Sequence, residues 1–168
     1  MQGKTVKQSR IAISHVMLPQ DANIAGNVHG GVIMKRVDTA AGFVAARHAR
    51  SNCVTASIDR LDFHHPVFVG NLLTLRASIN FVGRTSMEIG VRAETEDVMT
   101  GQVRHTASAY LTFVALDENG RPREIPPLIL ESEEDRRRNR EAKARRETRL
   151  NERTQEKACQ QDFDSCEI

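Results

Sequence analysis

The stretch Gly31-Val32-Ile33-Met34-Lys35-Arg36-Val37-Asp38-Thr39-Ala40-Ala41-Gly42-Phe43-Val44-Ala45-Ala46-Arg47-His48-Ala49 contains no proline and is rich in Ala, Val, Ile and Met. At 100° per residue, Ile33, Met34, Val37, Ala40, Ala41, Val44 and Ala45 cover most of the circumference of a helix. A helix of that kind does not lie on a surface, so residues 31–49 are predicted to form a nearly enclosed helix. Something must wrap it, and the residues that follow have the right pattern.

Leu73, Leu75, Ala77, Ile79 and Phe81 alternate with Thr74, Arg76, Ser78 and Asn80, which puts one face of a strand on a core and the other in water. Met87, Ile89, Val91 and Ala93 repeat this against Glu88, Gly90, Arg92 and Glu94. Ala107, Ala109, Leu111 and Phe113 repeat it against Thr106, Ser108, Tyr110 and Thr112. Turns at Val82-Gly83-Arg84-Thr85 and from Asp97 to Gly101 join the three into an antiparallel meander. Val54 to Leu61 reads as a further strand, and Ile11 to Leu18 as a short one before Pro19. The fold class is therefore α+β, an antiparallel sheet wrapped around one long central helix. No internal repeat interrupts it.

The body spans residues 10–130, and the composition changes after Pro126-Pro127. Residues 131–168 hold 10 Lys/Arg and 11 Asp/Glu among 38 positions, against 14 and 11 among the preceding 130. From Glu131 to Arg153 there is no Gly or Pro, and acids precede bases, which suits the helix macrodipole. Ala142, Ala144, Leu150 and Ala158 make no heptad seam, so this segment reads as an exposed helical or disordered tail.

Composition excludes several classes of function. A net charge of +2 with acids interleaved among the tail arginines predicts no nucleic-acid partner. Aromatics are 4% with no Trp, so a stacking platform for single strands is absent as well. No apolar run approaches the roughly 20 residues that span a bilayer, and Met-Gln-Gly-Lys-Thr-Val-Lys lacks the apolar centre of a secretion signal. A cytoplasmic location is expected. Cys53, Cys159 and Cys166 form no disulfide framework and read as free thiols.

Chemistry concentrates around the helix. Asp38 shares a helical face with Gly31, Met34, Ala41 and Gly42, where a carboxylate loses hydration as a base or nucleophile requires. The other reading pairs Asp38 with Lys35 or Arg36, or makes it a cap. Upstream, Asp21-Ala22-Asn23-Ile24-Ala25-Gly26-Asn27-Val28-His29-Gly30-Gly31 is a polar, glycine-rich entry whose free N–H groups at Gly30 and Gly31 suit an oxyanion hole, or form a simple tight turn. Gly31 and Asp38 lie roughly 10 Å apart along the helix axis, too far to act on one carbonyl. Antiparallel helices across a dimer twofold would bring one subunit's Asp38 to the other's Gly30-Gly31 turn. His64 and His65 point to opposite faces of a strand, so no metal site is expected. His29 reads as shaping the turn, and His48 as a satisfied core or interface residue.

Asp21-Ala22-Asn23, Gly26 to Gly31, Asp38-Thr39-Ala40-Ala41, Val54-Thr55-Ala56-Ser57, Phe63-His64-His65-Pro66 and Thr85-Ser86-Met87-Glu88 resemble the hotdog-fold acyl-CoA thioesterases, in particular the cytosolic acyl-CoA hydrolase branch. The resemblance covers about residues 10–130. It implies hydrolysis of an acyl-CoA to a carboxylic acid and CoA, with Asp38 as general base or nucleophile, Asn23 on the opposite subunit's half of the site, and no cofactor beyond the substrate. It implies Arg84, Thr85 and Ser86 at the CoA nucleotide, with Thr55 and Ser57 along the pantetheine. It also implies a homodimer with two full sites that assembles further as a trimer of dimers, a homohexamer. Met17, Met34, Phe43 and Phe63 would set the depth of the acyl tunnel. The rival readings are a hotdog hydratase or dehydratase and a non-catalytic acyl-CoA binder.

Overall fold

A computed structural model describes residues 1–161, with side chains to residue 156; the expected thiols of Cys159 and Cys166 lie outside the described side chains. In chain order the elements are β1 (Lys4–Thr5), α1 (Val6–Ser9), β2 (Ile11–Val16), a 3₁₀ turn (Pro19–Asp21), α2 (Gly30–Ala49), β3 (Asn52–Phe63), β4 (Leu72–Val82), β5 (Ser86–Asp97), β6 (Gln102–Leu116), β7 (Leu128–Ile129) and α3 (Glu133–Gln161). β2–β6 form a five-stranded antiparallel sheet in the order β2-β4-β5-β6-β3, while β1 pairs in parallel with β7. An antiparallel sheet packed on one long helix is what the alternating strands predict, and it matches the hotdog fold that the resemblance implies. Among the described residues, no helix is long and apolar enough to cross a membrane.

The inner sheet face is built in rows across the strands. One row runs Ile79, Ile89, Leu111 and Ile58; another runs Leu75, Ala93, Ala107 and Phe63. α2 lies on these rows through Val37, Ala40, Ala41, Val44 and Ala45, all buried. Its small alanines let the backbone approach the larger sheet residues closely.

The expected enclosure of this helix is corrected by the structure. Met34 is 41% and Phe43 60% exposed, and with Lys35, Thr39 and Arg47 they form an open stripe along α2. The reason is geometric: a single sheet covers one side of a helix and leaves the other bare.

Two anchors hold the C-terminal end of the helix. Arg50 adopts the left-handed conformation (φ 53°) as C-cap, and its N–H donates to Ala46 O at 2.8 Å, while Lys4 Nζ donates to His48 O at 2.6 Å. His48 itself is fully buried. Its Nε2 lies 2.9 Å from Pro126 O, which can only accept, so that nitrogen carries the proton. Nδ1 then accepts from the Ser9 hydroxyl at 2.9 Å. Burial pushes the imidazole pKa down, against a smaller upward pull from the Pro126 carbonyl and alongside a downward push from Lys4.

The charged tail does not stand free. Ala142 is wholly buried and Asn139 nearly so, because α3 docks its first half on the outer sheet face. Asn139 Nδ2 donates to Asn80 O at 2.8 Å, and Arg145 donates to both oxygens of buried Glu88 at 2.7 and 3.2 Å while stacking over Tyr110. Arg138 reaches Ser78 Oγ, and Arg149 pairs with Asp59. An exposed tail is the natural reading of a segment without an apolar stripe; here paired charges replace that stripe. Glu88 also accepts from Asn80 Nδ2 at 3.0 Å.

Because the folded state holds His48 neutral, the unfolded chain binds more protons below the ordinary imidazole value of about 6.5. Stability is therefore lost as pH falls through that value, and the burial-lowered His15 and His105 act in the same direction. Thermal melts between about pH 7.5 and 5.5 check this: the midpoint is expected to fall, and less steeply in His48→Gln. A Cβ at Gly90 would lie 2.7 Å from Asn80 Nδ2, under the docked helix. Gly90→Ala is expected to lower stability by about 1–3 kcal/mol, read from the denaturant midpoint.

Candidate active site at the helix entrance

The loop from Asp21 to His29 is shaped by its own side chains. Asn23 Oδ1 accepts from Ala25 N at 2.9 Å and from Asn27 N at 3.2 Å, and Gly26 takes the positive φ of 83° that closes the turn. Val28 N donates to Val67 O and His29 N to Asp21 O, both at 2.8 Å, which fastens the loop to the body. With its oxygen committed, the Asn23 side chain retains Nδ2 as a donor with no protein partner among the described residues.

His29 is the N-cap of α2. Its Nδ1 accepts from Gly31 N at 2.9 Å, and its carbonyl accepts from Val32 N. The structure thus separates the two glycines that sequence treats alike. Gly31 N–H is satisfied by the imidazole, whereas Gly30 N–H has no partner among the described residues. Of the two N–H groups expected to serve as oxyanion donors, that of Gly31 is already engaged, and that of Gly30 is left free among the described residues. Asn23 and Gly30 line a cavity of about 320 Å³ with Phe63, His64 and His65.

Asp38 lies further along α2 and does not line that cavity. It is half-buried, and Oδ1 accepts from Thr55 Oγ1 on β3 at 2.6 Å. It makes no ion pair with Lys35 or Arg36, or with any other cation among the described residues. The carboxylate is held by one hydroxyl, and no other hydrogen bond occupies its second oxygen among those residues.

Thr55 and Ser57 do not line one channel. β3 skips a residue against β6, so Thr55 pairs with Phe113 on the inner face and Ser57 with Thr112 on the outer. Ser57 Oγ donates to Asp59 Oδ1 at 2.7 Å, under α3, and is corrected to a structural position. Arg84, Thr85 and Ser86 form the β4–β5 turn, where Gly83 N donates to Ser86 O at 2.8 Å. Ser86 pairs with Val114, one row from Phe113 and Thr55, so the turn sits at the same end of the sheet as Thr55. Arg84 is exposed and unpaired among the described residues. Sequence reading missed the cavity role of His64 and His65, having weighed them only as metal ligands. Their adjacency to Phe63 and Pro66 at the end of a strand was the available signal.

The fold, a five-stranded antiparallel sheet on one long helix, is that of a hotdog protein. Residues 25–102 match the model of the thioesterase superfamily, and the chain belongs to that family. It is 40% identical over 143 residues to the cytosolic acyl coenzyme A thioester hydrolase of Mus musculus, covering 84% of this chain but only 38% of that protein's length. A hexameric acyl-CoA thioesterase superposes with a TM-score of 0.87 at 38% identity, covering 90% of this chain and 97% of the other. The acyl-CoA hydrolase of Staphylococcus aureus, solved with butyryl coenzyme A, coenzyme A and coenzyme A disulfide, superposes with a TM-score of 0.87 at 32% identity, covering 95% and 98%. Variants of that hydrolase with one aspartate, one asparagine or one threonine replaced by alanine have also been solved.

The capping role of His29 is testable apart from any reaction. His29→Ala removes the acceptor for Gly31 N–H and is expected to cost about 1 kcal/mol, whereas His29→Asn retains a capping oxygen and most of the stability. Urea unfolding of the two variants compares them.

Proposed function

We propose that this protein hydrolyses acyl-CoA thioesters to a carboxylic acid and CoA, at a site completed by two copies of the chain. The observation that carries the reading is the Asp38–Thr55 hydrogen bond beside an otherwise unpaired carboxylate. The three residues replaced in the Staphylococcus aureus hydrolase stand at the same intervals along the chain as Asn23, Asp38 and Thr55 do here, which supports the assignment.

The need for a second copy follows from the spacing. Seven residues of helix separate Gly31 from Asp38, roughly 10 Å along the axis. Antiparallel packing of two α2 helices brings Asp38 of one copy against Asn23 and Gly30 of the partner subunit. The open stripe supports this: Met34, Phe43 and, on the α2 face of β3, Ile58 are 41, 60 and 40% exposed, and β3 is an edge strand with one side unpaired. Six copies as a trimer of dimers is the assembly we infer, in keeping with the hexameric relative.

In the reaction, Thr55 Oγ–H holds Oδ1 of Asp38, leaving Oδ2 to take a proton from water. The hydroxide oxygen attacks the thioester carbon. Gly30 N–H of the partner subunit, at the positive end of α2, donates to the carbonyl oxygen as it gains charge, and Asn23 Nδ2 orients the water or the carbonyl. Collapse of the tetrahedral intermediate breaks the C–S bond, and the CoA thiolate leaves and takes up the proton that Asp38 accepted from the water. A thiolate leaves readily, so the scheme uses neither a strong general acid nor a metal. Direct attack by Asp38 through a mixed anhydride uses the same residues. Arg84, with Thr85 and Ser86, is assigned to the CoA phosphates. The cytosol is the expected compartment, as the name of the mouse relative indicates for that protein.

A thiol-release assay with acetyl-, butyryl-, octanoyl- and palmitoyl-CoA tests the reading. Asp38→Ala is expected to lower kcat by about 10²- to 10⁴-fold, and Asn23→Ala by about 10-fold or more. Turnover unchanged in Asp38→Ala, or absent with all four chains, would overturn it.

A further inference from the structure

Strand β3 carries two extra residues. Its register against β6 passes from Thr55–Phe113 to Ser57–Thr112, and then from Ile58–Leu111 to Arg60–Tyr110, so Ala56 and Asp59 each lack a partner. The first bulge turns the strand over between Thr55, which faces α2, and Ser57, which faces outward. The second leaves Asp59 outward beside Ser57. A bulge loses ladder hydrogen bonds, so its geometry depends on what else holds it.

Here the hold comes from the tail helix. Asp59 Oδ1 accepts from Ser57 Oγ at 2.7 Å, its other oxygen pairs with Arg149 of α3, and the two charged side chains are only 12% and 18% exposed. Partial burial makes such a pair stronger and more directional than a surface ion pair. Four residues before Asp59, Thr55 Oγ1 donates to Asp38. The connection therefore runs from Arg149 to Asp59, to Ser57, across the bulge at Ala56, to Thr55 and Asp38.

We propose that Asp59 and Arg149 are positioning residues for the reaction: α3, through this ion pair, fixes the double bulge of β3 in the register that aims the Thr55 hydroxyl at Asp38. This rests on the thioesterase reading for its catalytic consequence. Displacements of about 1 Å at a reacting group can cost up to about 100-fold in rate, and a one-residue slip of register carries a side chain to the other face of the sheet.

The test uses the full chain. Asp59→Asn and Arg149→Met keep side-chain volume and remove the ion pair; each is expected to lower kcat about tenfold on butyryl-CoA with KM within about twofold. Arg149→Lys is expected to recover most of the rate. Arg138 docks the same helix on β4 without touching β3, and Arg138→Ala is expected to leave kcat unchanged. If Asp59 acts through Thr55, adding Asp59→Asn to Thr55→Ala produces no further loss, whereas a merely structural role multiplies the two losses. Amide hydrogen exchange of residues 54–58 is expected to quicken in Arg149→Met and not in Arg138→Ala. That measurement needs no substrate, so it separates failure of this proposal from failure of the thioesterase reading. Unchanged exchange, or multiplicative losses in kcat, would overturn the proposal.

Discussion

A helix has two sides and a five-stranded sheet covers one. Most of what this molecule does follows from that mismatch between α2 and its cover. The covered side is lined by Val37, Ala40, Ala41, Val44 and Ala45 and is closed to water. The bare side presents Met34 and Phe43 beside an edge strand whose α2 face carries the exposed Ile58. Asp38 stands between the two environments, half-buried, with a hydroxyl on one oxygen. A carboxylate deep in the core would need a compensating charge, and one in open water would be an ordinary surface group. The border between a filled face and an unfilled one gives a carboxylate that is held in place and still reachable.

The strands were legible in the sequence because period-two alternation is a local property. The inner residues of β4, β5 and β6 that the pattern selects, from Leu73 to Phe113, lie on the α2 side of the sheet, except Phe81, which a bulge after Ile79 pairs with Glu88 and turns outward beneath Arg146 of α3. The helix was legible too, but its surroundings were not. Counting apolar positions says how much of a helix wants cover, not which molecule supplies it, so Met34 and Phe43 read as core residues. At the site, Asp38 stood out as a charge on an apolar helix, and Asn23 and the glycines as a polar turn. Two things escaped. A bulge is a non-local event, set by the partner strand, so alternation alone put Thr55 and Ser57 on one face. Gly30 and Gly31 are equivalent until the His29 ring is in place and takes one of their two N–H groups.

The tail shows the same limit from the other direction. Hydrophobic periodicity is blind to docking by paired charges, and α3 uses almost nothing else. Arg145 satisfies Glu88, Asn139 reaches the Asn80 carbonyl, and Ala142 is the one small apolar contact buried between them. A buried pair of this kind adds little net stability relative to an apolar contact, but mispairing leaves a charge stranded, so the helix has one acceptable register on the sheet. Specific placement, more than adhesion, is what such a seam provides.

The parallel pairing of β1 with β7 sets the entrance and exit of the body side by side. Both lie at the Arg50 end of α2, where Lys4 meets the His48 carbonyl, while the Asn23 loop sits at the opposite end, roughly 30 Å away for a helix of 20 residues. The chain therefore enters the body and leaves it for α3 far from the loop where thioester chemistry is proposed. The geometry thus separates two duties along one helix: its far end ties the borders of the body together, and its near end carries the polar loop.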